Sequence, residues 1–400
     1  MGQLRTRKRG KTWEYSFEGA PVDGKRTTIS KGGFRTKEEC IKAGTAAKSE
    51  YDNCGRVFIP SEISVSDYLD YWIKSYVTGL SPRTYEDYQS KIKNHIKPAF
   101  GMYKLSSLAP DIIQDWINSK KNTGLSKGMI KNLLACLSGA MNYAVLPCKY
   151  IKFNPCNGVR IPKMPTDINQ KKKNEYVLSK EEFERIIIRF ENTVFYLPLE
   201  VGYHLGTRIG ETYGIDLLHD PDFDSGKITI NHQLQKLKGS PILDLPKYES
   251  VRTIRMDKIL AELLQKEIHK RKLNMLRYGS YYLKTYITPE NKILQATPDA
   301  NIALPEIMPL SVRENGELMT PDSFKYCARV IHYELNNPLF HYHSLRHTHG
   351  TILAEGGASP KTVMERLGHK DIRVTMNTYI FNTDKMESDS IGIFENYLAG

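Results

Sequence analysis

Hydrophobic and polar residues alternate near the start of the chain. Residues 12–18 and 26–30 have this period-two pattern, which predicts two strands joined by a turn. Thr36 then caps a predicted helix that ends near Asp52. The first strand carries its aromatic residues on one face, which predicts a packed surface: Trp13, Tyr15 and Phe17. Residues 1–56 are therefore expected to form a small α+β module.

Residues 61–158 have the three- and four-residue hydrophobic spacing of amphipathic helices. Ser64 or Ser66 can cap the first helix, Ser81 with Pro82 begins the second, and Pro110 begins another. Residues 125–145 read as one long helix. This region is expected to be an all-α domain.

A segment rich in proline and lysine, residues 159–174, interrupts every periodic pattern and is predicted to be a linker. Beyond it, Ser179 and Glu182 have the spacing of a capping box. Residues 227–235, 241–246 and 250–256 predict strands, and helices then resume. We expect residues 175–400 to form a mixed, mainly α domain with a small β-sheet and a C-terminal tail helix. The chain as a whole is thus predicted to be multidomain.

The net charge of +12 and the pI near 9.1 favour a polyanionic partner. Residues 1–56 hold 13 basic and seven acidic residues, and residues 61–163 hold 14 and seven. Four cations surround one predicted helix of the second region: Arg83, Lys91, Lys93 and Lys97. The basic surplus of residues 1–56 points to DNA, and these four cations predict a second surface that faces DNA. A solvated helix face would have the same pattern.

No run approaches the ~20 apolar residues of a membrane span, and the basic start lacks the apolar core of an export signal. A cytoplasmic protein without membrane contact is the expectation. Six scattered cysteines lack the close spacing of a zinc site and are expected to be reduced thiols that pack in cores.

Residues with chemical potential are concentrated in the third region. Arg208 lies on a predicted turn or helix start between Gly206 and Gly210, where a guanidinium can approach a phosphate closely. His343 and Arg346 are three residues apart and should share one helix face. His369 and Tyr379 follow. Taken singly, each has an ordinary structural explanation. His343, His347 and His349 do not have the spacing of a tetrahedral zinc site, so no metal and no cofactor is expected.

The order of these residues resembles that of the tyrosine recombinase (phage integrase) family, and is most similar to integrases of conjugative transposons. The segments LGTRIGE, HSLRHTHGT and LGHKDIRVTMNTYIF resemble the motifs of that family. The resemblance implies six catalytic positions: Arg208, Lys247, His343, Arg346, His369 and Tyr379. The lysine alignment leaves Lys236 and Lys238 as alternatives, because PKYESVR is shorter than the usual hairpin.

The resemblance also implies roles. Tyr379 would be the nucleophile that forms a 3′-phosphotyrosine, and two arginines would hold the scissile phosphate. Residues 1–56 would bind arm-type sites, residues 61–158 core sites, and residues 175–400 would be the catalytic domain. Double-stranded DNA of a mobile element and its target, a homotetramer on DNA, and accessory excision or DNA-bending proteins would be the partners.

Two rival functions share parts of this pattern. A type IB topoisomerase uses Arg, Lys, His and Tyr to nick and reseal one duplex, and the basic N-terminal module argues against it. A catalytically silent DNA-binding regulator would keep the fold, but should have lost at least one of the six positions, and all are present.

Overall fold

A computed structural model describes residues 3–22, 25–54, 62–163, 176–237 and 239–379, with isolated positions in the tail. The chain divides into two compact units, Met1–Pro165 and Thr166–Gly400. Most of the predicted linker, Lys238 and most of the predicted tail helix lie outside the described residues. Among the helices that are described, none is long and apolar enough to cross a membrane.

The N-terminal segment of the first unit is an antiparallel sheet covered by one helix. Its elements are β1 Arg5–Arg9, β2 Thr12–Val22, β3 Lys25–Phe34 and α1 Lys37–Cys54. As predicted, the Thr36 hydroxyl accepts a hydrogen bond from the Glu39 amide at 3.1 Å and caps α1. Tyr15 and Phe17 are buried on the helix-covered face of β2, so the aromatic stripe is the core of this segment.

Two details of this segment were predicted wrongly. Strand β1 was missed because its sequence, RTRKR, has no hydrophobic alternation; it is held by backbone pairing with β2. The predicted turn was also too long, since β2 and β3 pair through Val22 and Lys25.

The rest of the first unit is helical. The helices are α2 Val65–Ser75, α3 Pro82–Lys91, α4 Lys97–Phe100, α5 Pro110–Asn122 and α6 Lys127–Val145, with a π-helical turn over Ile92–Ile96. Ser64, Ser81 and Ser126 cap α2, α3 and α6 through their hydroxyls. Trp72, Leu137 and the other inward residues form one continuous core, which accounts for the all-α character of this region.

The predicted cationic surface on α3 and α4 is only partly present. Lys91 is buried against Tyr88 and forms an ion pair with Asp87. Lys97 pairs with Asp70 at 2.7 Å. Sequence spacing alone could not separate these cations from the exposed ones, because the burial of Lys91 depends on how α3 packs and the partner of Lys97 lies on another helix.

The second unit alternates helices with short strands. Its helices are α7 Lys180–Phe190, α8 Tyr196–Leu205, α9 Ile209–Tyr213, α10 Lys258–Tyr278, α11 Phe324–Tyr333, α12 Tyr342–Glu355, α13 Pro360–Leu367 and α14 Ile372–Tyr379. Its strands are β4 Pro221–Asp222, β5 Lys227–Ile230, β6 Gln233–Leu237, β7 Ser240–Asp244, β8 Arg252–Arg255, β9 Lys284–Ile287, β10 Ile293–Ala296 and β11 Glu306–Ile307.

The strands of this unit form separate small sheets. β5 pairs with β4 and β8, β6 pairs with β7 as a hairpin, and β9 pairs with β10 and β11. The segment predicted as one strand over residues 227–235 is broken at Asn231 and His232 into β5 and β6. The strands β9 to β11 were missed. The predicted capping box of Ser179 and Glu182 is present with both hydrogen bonds.

Candidate functional site

Arg208 lies at the junction of α8 and α9. Gly206 ends α8 in the left-handed conformation, with φ of 64°. A Cβ at this position would come within 2.7 Å of Leu367 and 2.8 Å of His349, so the sharp turn also needs the absence of a side chain. Arg208 then occupies the N-cap position of α9, as the prediction of a helix start required.

Glu211 holds Arg208 in place. Its carboxylate accepts from the Arg208 amide at 3.0 Å and from Arg208 Nη1 at 2.6 Å, while Nη2 donates to the carbonyl of Gly368 at 3.1 Å. Glu211 is fully buried. Burial alone would raise its pKa, but the guanidinium groups of Arg252 and Arg208 outweigh that effect and lower the pKa to about 2. The carboxylate therefore stays ionised and fixes the arginine.

Arg346 lies on α12 and is completely buried. Its Nη1 donates to the Gly206 carbonyl at 2.9 Å, which joins the second arginine to the turn that presents Arg208. Helix α12 packs closely on α8 at Gly202. A Cβ at this position would lie only 2.6 Å from the Tyr342 hydroxyl. Helix α12, which carries Arg346, thus packs closely on α8, the helix that leads into the turn of Arg208.

His343 lies three residues before Arg346 on α12, as predicted. It is exposed, and its ring centroid is 4.8 Å from that of the buried His347. Although the residue is exposed overall, the protein around the ring partly desolvates it, and the neighbouring His347, Arg346 and Arg208 disfavour a further positive charge. These effects lower the pKa of His343 to about 3, and burial lowers that of His347 to about 4. Both imidazoles are neutral near pH 7.

His369 follows α13, just after Gly368. Its Nδ1 lies 2.8 Å from the Thr375 hydroxyl on α14. Burial, followed by the charges of Arg346 and Arg208, lowers the pKa of His369 to about 3. Arg208 bonds to Gly368, the residue before His369, and Arg346 shares α12 with His343 and bonds to the turn before Arg208, so the structure brings these four residues together.

Lys247 lies on the loop before β8, outside this cluster of hydrogen bonds. Its exposed ammonium lies 4.9 Å from the ring centroid of Tyr248. Tyr248 and Glu249 both adopt positive φ, 63° and 54°, which is uncommon for residues with side chains. The alternative Lys236 is on β6, 3.6 Å from an oxygen of Asp322.

The structure describes the backbone of Tyr379, which is the last residue of α14. It is one helical turn after Thr375, the hydrogen-bond partner of His369. Within the described residues, no three His, Cys, Asp or Glu side chains are grouped so that they could hold a metal ion.

Sequence reasoning missed two further arginines. Arg366 Nε donates to His349 Nε2 at 2.8 Å, and its Nη2 donates to the His204 carbonyl at 3.2 Å, which ties α13 to α12 and α8. Arg252 bonds to Glu211 at 2.8 Å. Arg252 had a detectable signal: it lies two residues before Ile254 in a strand, so both side chains face the buried side of β8. Arg366 had none, since its partners are distant in sequence.

Comparisons with known proteins identify the family of the chain. The model described as the phage integrase family matches residues 176–386, the phage integrase N-terminal SAM-like domain matches 64–121, and the Arm DNA-binding domain matches 5–50. The first match alone covers more than half of the chain. The chain therefore belongs to the phage integrase family, the tyrosine recombinases, and is a site-specific DNA strand-exchange enzyme.

Individual relatives are distant but extend over most of the chain. A tyrosine recombinase XerC-like protein of Caldanaerobacter subterraneus subsp. tengcongensis is 26% identical over 367 residues, 88% of each chain. The integrase of Staphylococcus phage L54a is 26% identical over 345 residues, 81% of this chain and 89% of its own length. These comparisons favour recombination over the topoisomerase and regulator alternatives.

Solved structures share the fold. The Tn1549 transposon integrase in complex with transposon right end DNA has a TM-score of 0.62 at 21% identity, covering 82% of this chain and 99% of that one. A lambda integrase tetramer bound to a Holliday junction has a TM-score of 0.53 at 17% identity, covering 95% and 97%. The mixed, mainly α architecture of the second unit is thus that of integrases.

Proposed function

We propose that Arg208, Lys247, His343, Arg346, His369 and Tyr379 form the active site, and that it cleaves and rejoins DNA through a 3′-phosphotyrosine. The observation that carries the proposal is the convergence of two arginines and two neutral histidines on the junction of α8, α12 and α13. A phosphodiester is anionic, and its pentavalent transition state concentrates negative charge. A fixed cationic site with neutral proton carriers suits that reaction.

The two arginines would hold the non-bridging oxygens of the scissile phosphate. Arg208 is fixed by the buried Glu211 and by the Gly368 carbonyl, and Arg346 is fixed at the Gly206 carbonyl. A guanidinium presents its donors in a planar fork that matches two oxygens of a phosphate. Because both arginines are held in place before DNA arrives, they need little reorganisation during the reaction.

His343 would accept the proton of the Tyr379 hydroxyl as that oxygen attacks phosphorus. The ring is neutral near pH 7, so it can take a proton. Nearby positive charge contributes to its low pKa, and a bound phosphodiester would offset that charge and make the ring a stronger base. His369, oriented by Thr375, would donate a hydrogen bond to a phosphate oxygen.

Lys247 would protonate the leaving 5′-oxygen as the bond between phosphorus and that oxygen breaks. In the DNA-free chain its ammonium lies over Tyr248, and the loop would bring it to the phosphate when DNA binds. Attack by a 5′-hydroxyl of another strand on the phosphotyrosine then releases Tyr379 and reseals the DNA. No water and no cofactor is needed, because the phosphotyrosine conserves the energy of the original bond.

We further propose that the chain acts on two kinds of DNA site of a mobile element. Residues 1–56, which hold a surplus of six basic residues and of which 5–50 match the Arm DNA-binding domain, would bind arm sites. Residues 61–158 would bind core sites, 159–174 would link them to the catalytic domain, and 175–400 would do the chemistry. Exchange of four strands needs four active sites, so a homotetramer on DNA is proposed, with accessory bending or excision proteins, in the cytoplasm.

The test is covalent trapping. Wild-type protein incubated with a suicide duplex of its element should form an adduct that survives denaturation. Tyr379→Phe should abolish the adduct and retain DNA binding in a gel shift, because only the hydroxyl is removed. An adduct that persists in Tyr379→Phe would refute the assignment of the nucleophile.

A further inference from the structure

Arg252 is a nearly buried arginine that faces inward on β8, opposite Ile230. Its guanidinium donates to three acceptors: Nε to the carbonyl of Arg366 at 2.8 Å, Nη1 to the carbonyl of Ser250 at 3.2 Å, and Nη2 to Glu211 at 2.8 Å. The three acceptors belong to segments that are distant in sequence. One side chain therefore joins three parts of the second unit.

Each of these segments carries a residue of the proposed site. Glu211 holds Arg208. Ser250 belongs to the loop of Lys247, and its hydroxyl donates to the Lys247 carbonyl at 3.0 Å. The carbonyl of Arg366 lies at the end of α13, three residues before His369.

The packing at this point leaves little freedom. A Cβ on Gly368 would come within 2.8 Å of Arg252 Nη1, so the turn that leads to His369 lies directly on the guanidinium. The carbonyl of Gly368 also accepts a hydrogen bond from Arg208 Nη2. A shift of Arg252 would therefore be transmitted to the proposed phosphate site as well as to the lysine loop.

We propose that Arg252 is a positioning residue that couples the loop of Lys247 to the phosphate-holding Arg208. It acts through Ser250 on one side and Glu211 on the other. The proposal rests on the proposed roles of Lys247 and Arg208.

A positioning role of this kind predicts a dependence on the leaving group that a general loss of stability would not produce. A duplex with a 5′-bridging sulfur leaves without a proton, so it needs no general acid. The part of the Arg252 effect that passes through Lys247 should vanish on that substrate. The part that passes through Glu211 and Arg208 should remain.

The experiment measures single-turnover cleavage by the full chain at saturating suicide duplex, with a bridging oxygen or a bridging sulfur. Arg252→Gln should slow cleavage of the oxygen duplex by about 100-fold and of the sulfur duplex by about 10-fold, with little change in DNA binding. Arg252→Lys, which keeps the charge, should show a smaller defect in the same pattern and serves if the glutamine variant folds poorly. Arg255→Gln removes an exposed arginine from the same strand and should match wild type.

Equal defects on the two duplexes, complete recovery on sulfur, or wild-type rates on oxygen would each overturn the coupling. A parallel measurement of Tyr379→Phe distinguishes failure of the Arg252 coupling from failure of the proposed active site. If Tyr379→Phe forms no adduct while Arg252→Gln behaves as wild type, the coupling alone fails. If Tyr379→Phe still forms an adduct, the proposed site fails and the coupling with it.

Discussion

Two carboxylates in this chain are each shared by two arginines, one on the N-terminal sheet and one beside Arg208. Glu14 accepts a hydrogen bond from Arg7 at 3.0 Å and forms an ion pair with Arg9 at 2.9 Å, and each of these arginine side chains is 64% exposed. Glu211 pairs with Arg208 and Arg252, whose side chains are 22% and 8% exposed. Both arrangements are ion pairs of one carboxylate with two arginines, but water reaches the arginines of Glu14 and is largely excluded from those of Glu211.

The difference shows that net charge alone does not distinguish an arginine that can bind DNA reversibly from one that is fixed inside the protein. Water and salt screen the pairs of Glu14, so these arginines can exchange a carboxylate for another anion at little cost. Around Glu211 the charges are desolvated, and removal of one partner leaves another buried and uncompensated. The first arrangement suits reversible binding, and the second suits a fixed reaction geometry.

The largest expected effect concerns the two arginines of the proposed phosphate site, Arg208 and Arg346. Arg208→Lys and Arg346→Lys should each raise the cleavage barrier by on the order of 3 kcal/mol, roughly 100-fold in rate, because an ammonium cannot replace the planar fork. The measurement is single-turnover adduct formation at saturating DNA. Arg189→Lys, at an arginine paired with Glu334 on the surface of the same unit, is the matched control and should cleave normally. Near wild-type rates in either site variant would contradict the phosphate clamp.

The next effect concerns the lysine, which lies outside the buried network. Lys247→Ala should slow cleavage of an ordinary duplex by about 100-fold and should be rescued by a 5′-bridging sulfur. Lys236→Ala, which removes the alternative on β6, should show neither effect. Rescue of a Lys236 or Lys238 variant, with none for Lys247→Ala, would show that the alignment of the lysine is wrong.

A smaller effect follows from the neutral histidines. The folded pKa of His347 is about 4, below the ordinary value of 6.5, so its stabilising contribution is complete above pH 6.5 and is lost as pH falls through the folded pKa. Between pH 7 and pH 5 this residue should cost the DNA-free protein roughly 2 kcal/mol in unfolding free energy. Urea denaturation at several pH values measures it. His347→Gln should reduce the slope of stability against pH, and an unchanged slope would rule out this origin.

The smallest expected effect concerns the exposed ion pairs of Glu14. Glu14→Gln should release Arg7 and Arg9 to phosphate, so we expect arm-site binding a few-fold tighter and with a steeper salt dependence. Titrations of an arm-site duplex at several salt concentrations measure both. Glu18→Gln, whose partner Arg26 is 3.6 Å away and 91% exposed, is the control for the charge change alone. Equal effects of the two variants would mean that only net charge matters.

Local signals in the sequence were sufficient for helix starts and for the motifs of the site. Ser81, Ser179 and Thr36 were identified as caps because a cap depends on residues within one turn. The helix positions of Arg208, His343 and Arg346 also followed from short motifs. The matched family supports the predicted class of enzyme.

Interactions between distant segments could not be predicted in this way. Strand β1 has no hydrophobic pattern of its own and is specified by its pairing with β2. Arg366 acts on backbone carbonyls of residues more than a hundred positions away. The buried state of Lys91 likewise depends on the packing of α3 against its neighbours. Such features are set by tertiary structure and leave no trace in residue spacing.

The contact between α8 and α12 limits which substitutions this fold can accept. Gly202 lies within α8, where glycine is about 1 kcal/mol less favourable than alanine. Even the methyl group of alanine would overlap the Tyr342 hydroxyl and Leu345, at 2.6 Å and 2.8 Å. Position 202 touches no DNA in the proposed reaction and carries no functional group. Its tolerance to mutation should nevertheless be as narrow as that of the arginines, because the distance between two helices is fixed there by the absence of an atom.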